Sequence, residues 1–342
     1  MGNSSIYEIS KITGFSPSTV SRALSNTGYC SEKTKKAIIS AAEEIGFRPS
    51  SSARTLKSNR TNRILFCIPD ICNPFYFDMI KGANNVFDQH NVNSMLCYTK
   101  HSLEEELKFI DLLMEHQGDG MIFVSFNFCD KNINAIQKSG RPTVLTNLFE
   151  APDHQPNGFD CVYVDHTKAM YLATEHLIQQ GHHNIALIIG TLTEQTGKER
   201  TAGFFSAMKK YGIDAGPENL FIGDYTKESG YLAAQSILSG DRRFTAIITA
   251  NDLMVVGAVT ACTEQGISIP HDLAIVSLDN TDFATAINPH ITSVDMMQTA
   301  IGENAACLLM ERIELERTYP KTVRLEPRLI VRDSSIGTNL QP

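Results

Sequence analysis

In the stretch SPSTVSRALS a single guanidinium, Arg22, is accompanied by three short hydroxyl side chains, Ser18, Thr19 and Ser21, directly after Ser16 and Pro17. A guanidinium offers a planar fork of donors that fits the two acceptors on the major-groove edge of guanine, and short hydroxyls reach bases or phosphates. That is recognition chemistry. The spacings that catalysis needs do not occur: there is no G-x-S-x-G, no G-x-x-x-x-G-K-[ST], and no G-x-G-x-x-G following a strand pattern. The ten histidines, the adjacent His182 and His183 included, form no H-E-x-x-H or comparable set, and the eight cysteines include no C-x-x-C pair. Neither an enzyme, a metal nor a cofactor is expected, and the cysteines read as reduced thiols.

These residues need elements to present them. Ile6, Ile9 and Ile12 recur every third position and predict a first helix with one apolar stripe, ending near Thr13 before Gly14. Ser16 followed by Pro17 signals a second helix from Pro17 to about Ser25, because the hydroxyl takes an orphan amide and proline at the first position forfeits no bond. Val20, Ala23 and Leu24 make one face of it apolar and leave Ser18, Thr19, Ser21 and Arg22 on the other. A third helix opens at Ser31, carries Ala37, Ile38, Ala41, Ala42 and Ile45 on one side, and closes at Gly46. Three short helices with a tight turn after the first make a helix-turn-helix unit over residues 1–48. After Pro49 the polar segment SSSARTLKSNRT reads on composition as a linker over residues 49–61, with Leu56 as its one bulky apolar side chain.

The charge is divided in the same way. The net charge of −8 over 342 residues hides a head of sixty residues with nine Lys/Arg and four Glu, against 21 basic and 34 acidic residues in the remainder. A basic head on an acidic body suggests that only the head meets a polyanion. The length implies two or three units, no apolar stretch reaches membrane-spanning length, and MGNSSIYEIS lacks the features of a secretion signal, so a cytoplasmic protein is expected.

From Asn62 short apolar runs alternate with amphipathic stretches: RILFCIP, SMLCYT, GMIFVS, TVLTNL, CVYVD, IALIIG, FTAIITA and LAIVSLD behave as strands between helices such as MIKGANNVFDQH and VVGAVTACTEQG. This predicts an α/β body over residues 62–335 with two doubly wound parallel sheets, helices on both faces, and ligands beyond the carboxyl ends of strands. The pattern breaks near Asp165 and His166, and ITSVDMM and VRLEPRLIVR look like crossings back. The expected division is a first lobe of about 62–164 and 293–321 and a second of about 165–292 and 322–335.

The stretch IYEISKITGFSPSTVSRALSNTGYCSEKTKKAIISAAEEIGFRPSSSARTL closely resembles the DNA-binding head of the LacI/GalR family of bacterial transcription repressors, whose second helix opens V-S-x-x-T-V-S-R, as residues 15–22 nearly do. Residues 48–56 match that family's linker pattern. Ser10, Thr13 and Ser25 depart from it, standing where alanine, alanine and asparagine are usual. The resemblance continues through HHNIALIIG, ITANDLMVVGAV, GISIPHDLAIVSLDN and LEPRLIVRDSS, so it covers essentially the whole chain and implies a body like a periplasmic sugar-binding protein. A stand-alone transport protein would share that body but not the head.

What the resemblance implies is a repressor that binds double-stranded palindromic operator DNA as a homodimer under control of a small effector. Ser5, Tyr7, Ser16, Ser18, Thr19, Ser21, Arg22, Asn26 and Tyr29 would meet DNA. The linker would fold on DNA, with Leu56 wedged into the minor groove, Ala53 beside it, and Arg54 and Lys57 at phosphates or base edges. Carried over position by position, the effector pocket comprises Asp70, Phe75 and Tyr76 after the first strand, Asn147, then Glu194, Thr196 and Arg200, and Tyr225, Asn251, Asp252 and Asp279 at later strand ends. Asn147 replaces an aspartate common in relatives. Arg200 with Asp279, and Asn251 beside Asp252, suit paired bonds to vicinal hydroxyls, which favours a sugar or sugar phosphate over a nucleoside or purine. The ending VRDSSIGTNLQP carries no heptads, so a dimer is expected in preference to a tetramer.

Overall fold

The computed structural model describes residues 5–25, 28–47, 60–125, 128–148 and 158–337. The chain divides after Thr61 into two compact units. The smaller holds α1 (Ile6–Thr13), α2 (Pro17–Ser25) and α3 (Glu32–Glu44). Ser5 caps α1 by accepting from the Glu8 amide, and Gly14, at φ 71°, ends it in the left-handed conformation that glycine adopts without strain. Ser31 caps α3 through the Thr34 amide. Ile9, Val20, Ala23, Ile38, Ala41 and Ala42 make the core. Two expected core positions are outside it: Ile12 is 52% exposed and Ala37 is exposed. At 3.6 residues per turn each three-residue step falls back by about 60°, which carries Ile12 off the face of Ile6 and Ile9, and Ala37 sits about 100° from buried Ile38. The hydroxyls of Ser10, Thr13 and Ser25 donate to the carbonyls of Phe15, Ile9 and Ser21, so these departures leave no unpaired donor in the helix packing.

The larger unit is built on two six-stranded sheets. The first contains β1 (Arg63–Ile68), β2 (Asn93–Tyr98), β3 (Gly120–Phe123), β4 (Thr143–Leu145), β5 (Asp160–Val164) and β11 (Thr322–Leu325) in the order 2-1-3-4-5-11, all parallel. The second contains β6 (Ile185–Ile189), β7 (Leu220–Ile222), β8 (Ala246–Thr249), β9 (Ala274–Asp279), β10 (Thr292–Asp295) and β12 (Arg328–Ile330) in the order 7-6-8-9-10-12, parallel except for antiparallel β12. Ile185 to Ile189 are wholly buried, as expected of a parallel strand covered on both faces.

Helices α4 (Phe75–Gln89), α5 (Leu103–Met114), α6 (Asp130–Ser139) and α12 (Gln298–Glu314) serve the first lobe. Helices α7 (His166–Gln179), α8 (Gln195–Lys210), α9 (Lys227–Ser239), α10 (Asp252–Glu264) and the short α11 (Phe283–Ala286) serve the second. Close backbone approach joins them in pairs. A Cβ on Gly302 of α12 would fall 1.9 Å from the Met79 carbonyl oxygen of α4, and one on Gly257 of α10 would fall 2.0 Å from the Lys227 carbonyl oxygen of α9.

Among the described residues three segments pass between the lobes: from β5 into α7, from β10 into α12, and from β11 into β12. This corrects the expected division near the end of the chain. Residues 293–295 belong to the second sheet and residues 322–325 to the first. Residues 293–295 pair with β9 and β12; for residues 322–325 the reason lies in a buried carboxylate, since Asp160 of β5 accepts from the Lys321 amide at 2.7 Å and from the guanidiniums of Arg312 and Arg317, which seats β11 against β5 before the chain crosses. The same groups hold the Asp160 carboxyl below its ordinary range despite the opposing effect of burial.

Candidate functional site

The carboxyl ends of both sheets open onto one cleft of about 800 Å³, open solvent included. Asp70 follows β1, His101 follows β2, Thr146 and Asn147 follow β4, Glu194 and Thr196 follow β6, Asp224 and Tyr225 follow β7, Asn251 follows β8, and Asp279 ends β9. Such crevices beyond strand carboxyl ends are where doubly wound sheets bind ligands. Phe75, Tyr76, Met79, Val124, Val164, Met296 and Ile301 supply apolar walls. Gly190 makes room for one of the rings, since a Cβ there would stand 2.0 Å from the Tyr225 ring.

The polar centre is Arg200, 6% exposed. Its Nη1 donates to the Ala250 carbonyl at 2.8 Å, its Nη2 lies 3.4 Å from His166 Nδ1, and the guanidinium stands 5.9 Å from the Tyr225 ring centroid. Burial, reinforced by Arg200, pushes the His166 imidazole well below its ordinary value, so the ring is neutral at pH 7 and its Nδ1 can accept from the guanidinium. Asp279 is 3% exposed and has φ 97°, and its carbonyl accepts from Gln298 Nε2 of α12. Burial raises the Asp279 carboxyl to about 7, with Arg200 opposing and Asp252 adding to the rise. Arg200 Nε, Asp279 Oδ1, Tyr225 Oη and Thr146 Oγ1 are buried without hydrogen-bond partners, and all four residues line this cleft. Buried polar atoms are seldom left so, and each unmet one costs roughly 1–3 kcal/mol.

Of the eleven pocket residues expected from sequence, ten line the cleft. Asp252 does not. It is 2% exposed, and its Oδ2 takes both the Thr281 amide at 2.6 Å and the Thr281 hydroxyl at 2.8 Å, so it braces the chain after β9 instead of facing a ligand. Burial raises its carboxyl to about 6. Asn251 lines the cleft with both side-chain atoms engaged, Oδ1 capping α10 at the Met254 amide and Nδ2 donating to the Tyr225 carbonyl. Asn147 Nδ2 donates to the Ser125 carbonyl at 3.2 Å.

Sequence reasoning missed His101, Thr146, His166 and Asp224. Each stands just past a strand's carboxyl end, and that position is the signal that would have found them. His101 Nδ1 is 3.7 Å from a Glu194 oxygen across the cleft, and this contact raises the imidazole's affinity for its proton.

In the head, Ser16 Oγ accepts from the Thr19 amide at 3.3 Å and bonds the Ser18 and Thr19 hydroxyls at 2.9 Å each, shaping the start of α2. Arg22 lies exposed along the same face, donating from Nε to the Ser18 carbonyl at 3.3 Å. Tyr7 and Tyr29 are 71% and 91% exposed, and Ser21 is half-buried on α2. Asn26, Ala53, Arg54, Leu56 and Lys57 lie outside the described residues. Among the described residues no His/Cys/Asp/Glu group could hold a metal ion, all eight cysteines are free, and no helix is long and apolar enough to cross a membrane.

Residues 5–50 match the bacterial regulatory proteins of the lacI family, and residues 174–335 match a periplasmic binding protein-like domain. Catabolite control protein A of Priestia megaterium is 30% identical over 334 residues, 97% of this chain and 99% of that protein. The HTH-type transcriptional repressor PurR of Actinobacillus pleuropneumoniae serotype 3 (strain JL03) is 29% identical over 336 residues, 98% of this chain and 99% of that protein. Among solved structures, the transcriptional regulator CelR in complex with cellobiose is similar with a TM-score of 0.73 and 26% identity, covering 97% of this chain and 99% of CelR. These full-length relatives are regulators and not enzymes, and with them the chain belongs to the lacI family of bacterial transcriptional regulators, a DNA-binding head joined to an effector-binding body.

Proposed function

We propose that the protein is a cytoplasmic homodimeric repressor that binds an inverted-repeat operator and changes its affinity for it when a sugar closes the cleft. The observation that carries the effector part is the convergence of four unpartnered buried polar atoms, on Thr146, Arg200, Tyr225 and Asp279, at a hinge of three chain crossings. Arg200 donates and Asp279 accepts, which suits hydroxyl groups that do both, and Phe75, Tyr76 and Tyr225 offer ring faces to the C–H side of a sugar. A purine base is the second reading, supported by the likeness to a protein named PurR and by the same rings. Exposed Ile71, Phe77 and Leu96 of the first lobe and Ile222 and Leu232 of the second offer apolar surface to a second copy. For the head, the free polar face of α2 supports half-site reading by Ser18, Thr19 and Arg22, with Tyr29 nearby. The test is selection of bound duplexes from a randomised inverted-repeat pool, then mobility shift with sugars and purine bases. Recovery of a palindrome whose retention one of these compounds alters is the expected result. Absence of any sequence preference, with or without them, would refute the reading.

A further inference from the structure

Resting on that effector reading, we infer that the cleft admits an uncharged polyhydroxylated ligand and rejects the phosphorylated or carboxylated form of the same molecule. Anions in α/β folds are held where helices begin, because free amides point outward there and the helix dipole is positive. At three of the helices that begin around this cleft the chain's own side chains take up one of those amides. Asn73 Oδ1 takes the Phe75 amide of α4 at 3.0 Å. Thr226 Oγ1 takes the Ser229 amide of α9 at 3.1 Å, and Asp224 Oδ1 takes the Thr226 amide at 3.1 Å. Asn251 Oδ1 takes the Met254 amide of α10 at 2.9 Å.

Three helix starts beside the cleft carry no side-chain cap, α5 after Ser102, α12 after Met297 and α8, and of these α8 opens on an acid. It begins directly after Glu194, whose side chain makes no capping bond and is 6% exposed on the cleft wall, 3.7 Å from His101 of the opposite lobe. The residue at the cap position of α8 is therefore itself a carboxylate on the cleft wall. Asp70, Glu194, Asp224 and Asp279 line the cleft against a single Lys or Arg among the described residues, Arg200, part of whose donor capacity is spent on the Ala250 carbonyl. A sugar hydroxyl can donate to each of these carboxylates without bringing charge, whereas a phosphate offers acceptors and negative charge to acceptors that already carry it.

The purified full-length chain is titrated calorimetrically, at pH 8, with glucose, ribose and cellobiose, and in parallel with glucose 6-phosphate, ribose 5-phosphate and cellobionate. The expected result is binding of at least one neutral sugar with its anionic counterpart roughly a hundredfold weaker, and a gap narrowed about tenfold in Glu194→Gln, where one charge is gone and the shape is kept. An anionic form that binds as tightly as its parent and shifts operator retention overturns the charge inference alone and leaves the regulator standing. If no sugar in either form binds, the sugar reading falls and this inference with it.

Discussion

Arg200 and Asp279 are each costly to keep buried, and each keeps an atom unpaired that a ligand would satisfy. Removing one member of a desolvated charged pair typically costs 2–5 kcal/mol of binding, part of it from the partner left alone, so Arg200→Ala is expected to lose effector binding by about that amount while operator binding by the free protein persists. Calorimetry and mobility shift on the same preparation check the two halves. The Asp279 carboxyl, raised by burial from 3.8 to about 7, makes a second prediction. A group that folding holds in its neutral form contributes stability that is complete below about pH 4 and is lost as pH rises through about 7. Asp279→Asn should therefore raise the melting temperature more at pH 8 than at pH 5. An effector bonded to the ionised carboxylate should release a proton on binding at pH 6 and none at pH 8.5, which titration in buffers of different ionisation heat reads directly. Equal affinity at both pH values would contradict this placement of Asp279. Of the residues involved, Arg200 and Asp279 were legible in the sequence through family resemblance. Asp252, adjacent to a lining residue, was misread because one position along the chain past Asn251 turns its side chain into the protein at Thr281.

At the scale of elements, α2 shows how much a local code settles. Ser16, Pro17 and the apolar spacing of Val20 and Ala23 sufficed to place both the helix and its free face, because caps and periodicity act within a few residues. Arg22→Ala should cost operator binding roughly 1–3 kcal/mol and relax discrimination at one base pair, read as a mobility-shift series over single-base operator variants. The pairing of α4 with α12 was not legible, since more than two hundred residues separate Gly82 from Gly302 and neither glycine stands in a turn. Gly302→Ala must displace the Met79 carbonyl and should destabilise the body by about 1–3 kcal/mol in urea denaturation. The short strand β7, with an exposed or half-buried pattern, was not legible because its apolar run, LFI, is only three residues long. The lobe assignment of residues 322–325 failed for a related reason, since it depends on the carboxylate of Asp160 gathering Arg312, Arg317 and Lys321, and that of residues 293–295 depends on β10 pairing with β9 and β12; both are tertiary events with no local periodicity.

For the whole molecule, three crossings give the two lobes a shared hinge, and any compound that bonds groups from both lobes favours the closed arrangement by its differential affinity. The expected consequence is a change in operator affinity with bound effector and a reciprocal change in effector affinity with bound operator. Fluorescence anisotropy of a labelled operator, titrated with and without the effector, measures the first, and calorimetry on the operator complex measures the second. Sedimentation equilibrium of the full chain should give twice the chain mass, and a monomer at micromolar concentration would remove the basis for reading an inverted repeat.

The amino-acid sequence by itself determined the division into a basic head and an acidic body, the three head helices, the alternation of strand and helix, and the strand ends at which polar side chains gather. Those properties follow from caps, periodicity and charge, which are local. Only the tertiary structure decided which of those side chains share one cleft, that Arg200, Tyr225, Thr146 and Asp279 are left with unmet bonds there, that Asp252 is turned away, and where the chain recrosses between lobes. Burial and hydrogen-bond satisfaction are set by groups distant in sequence, and so they appear only when the sheets have been assembled.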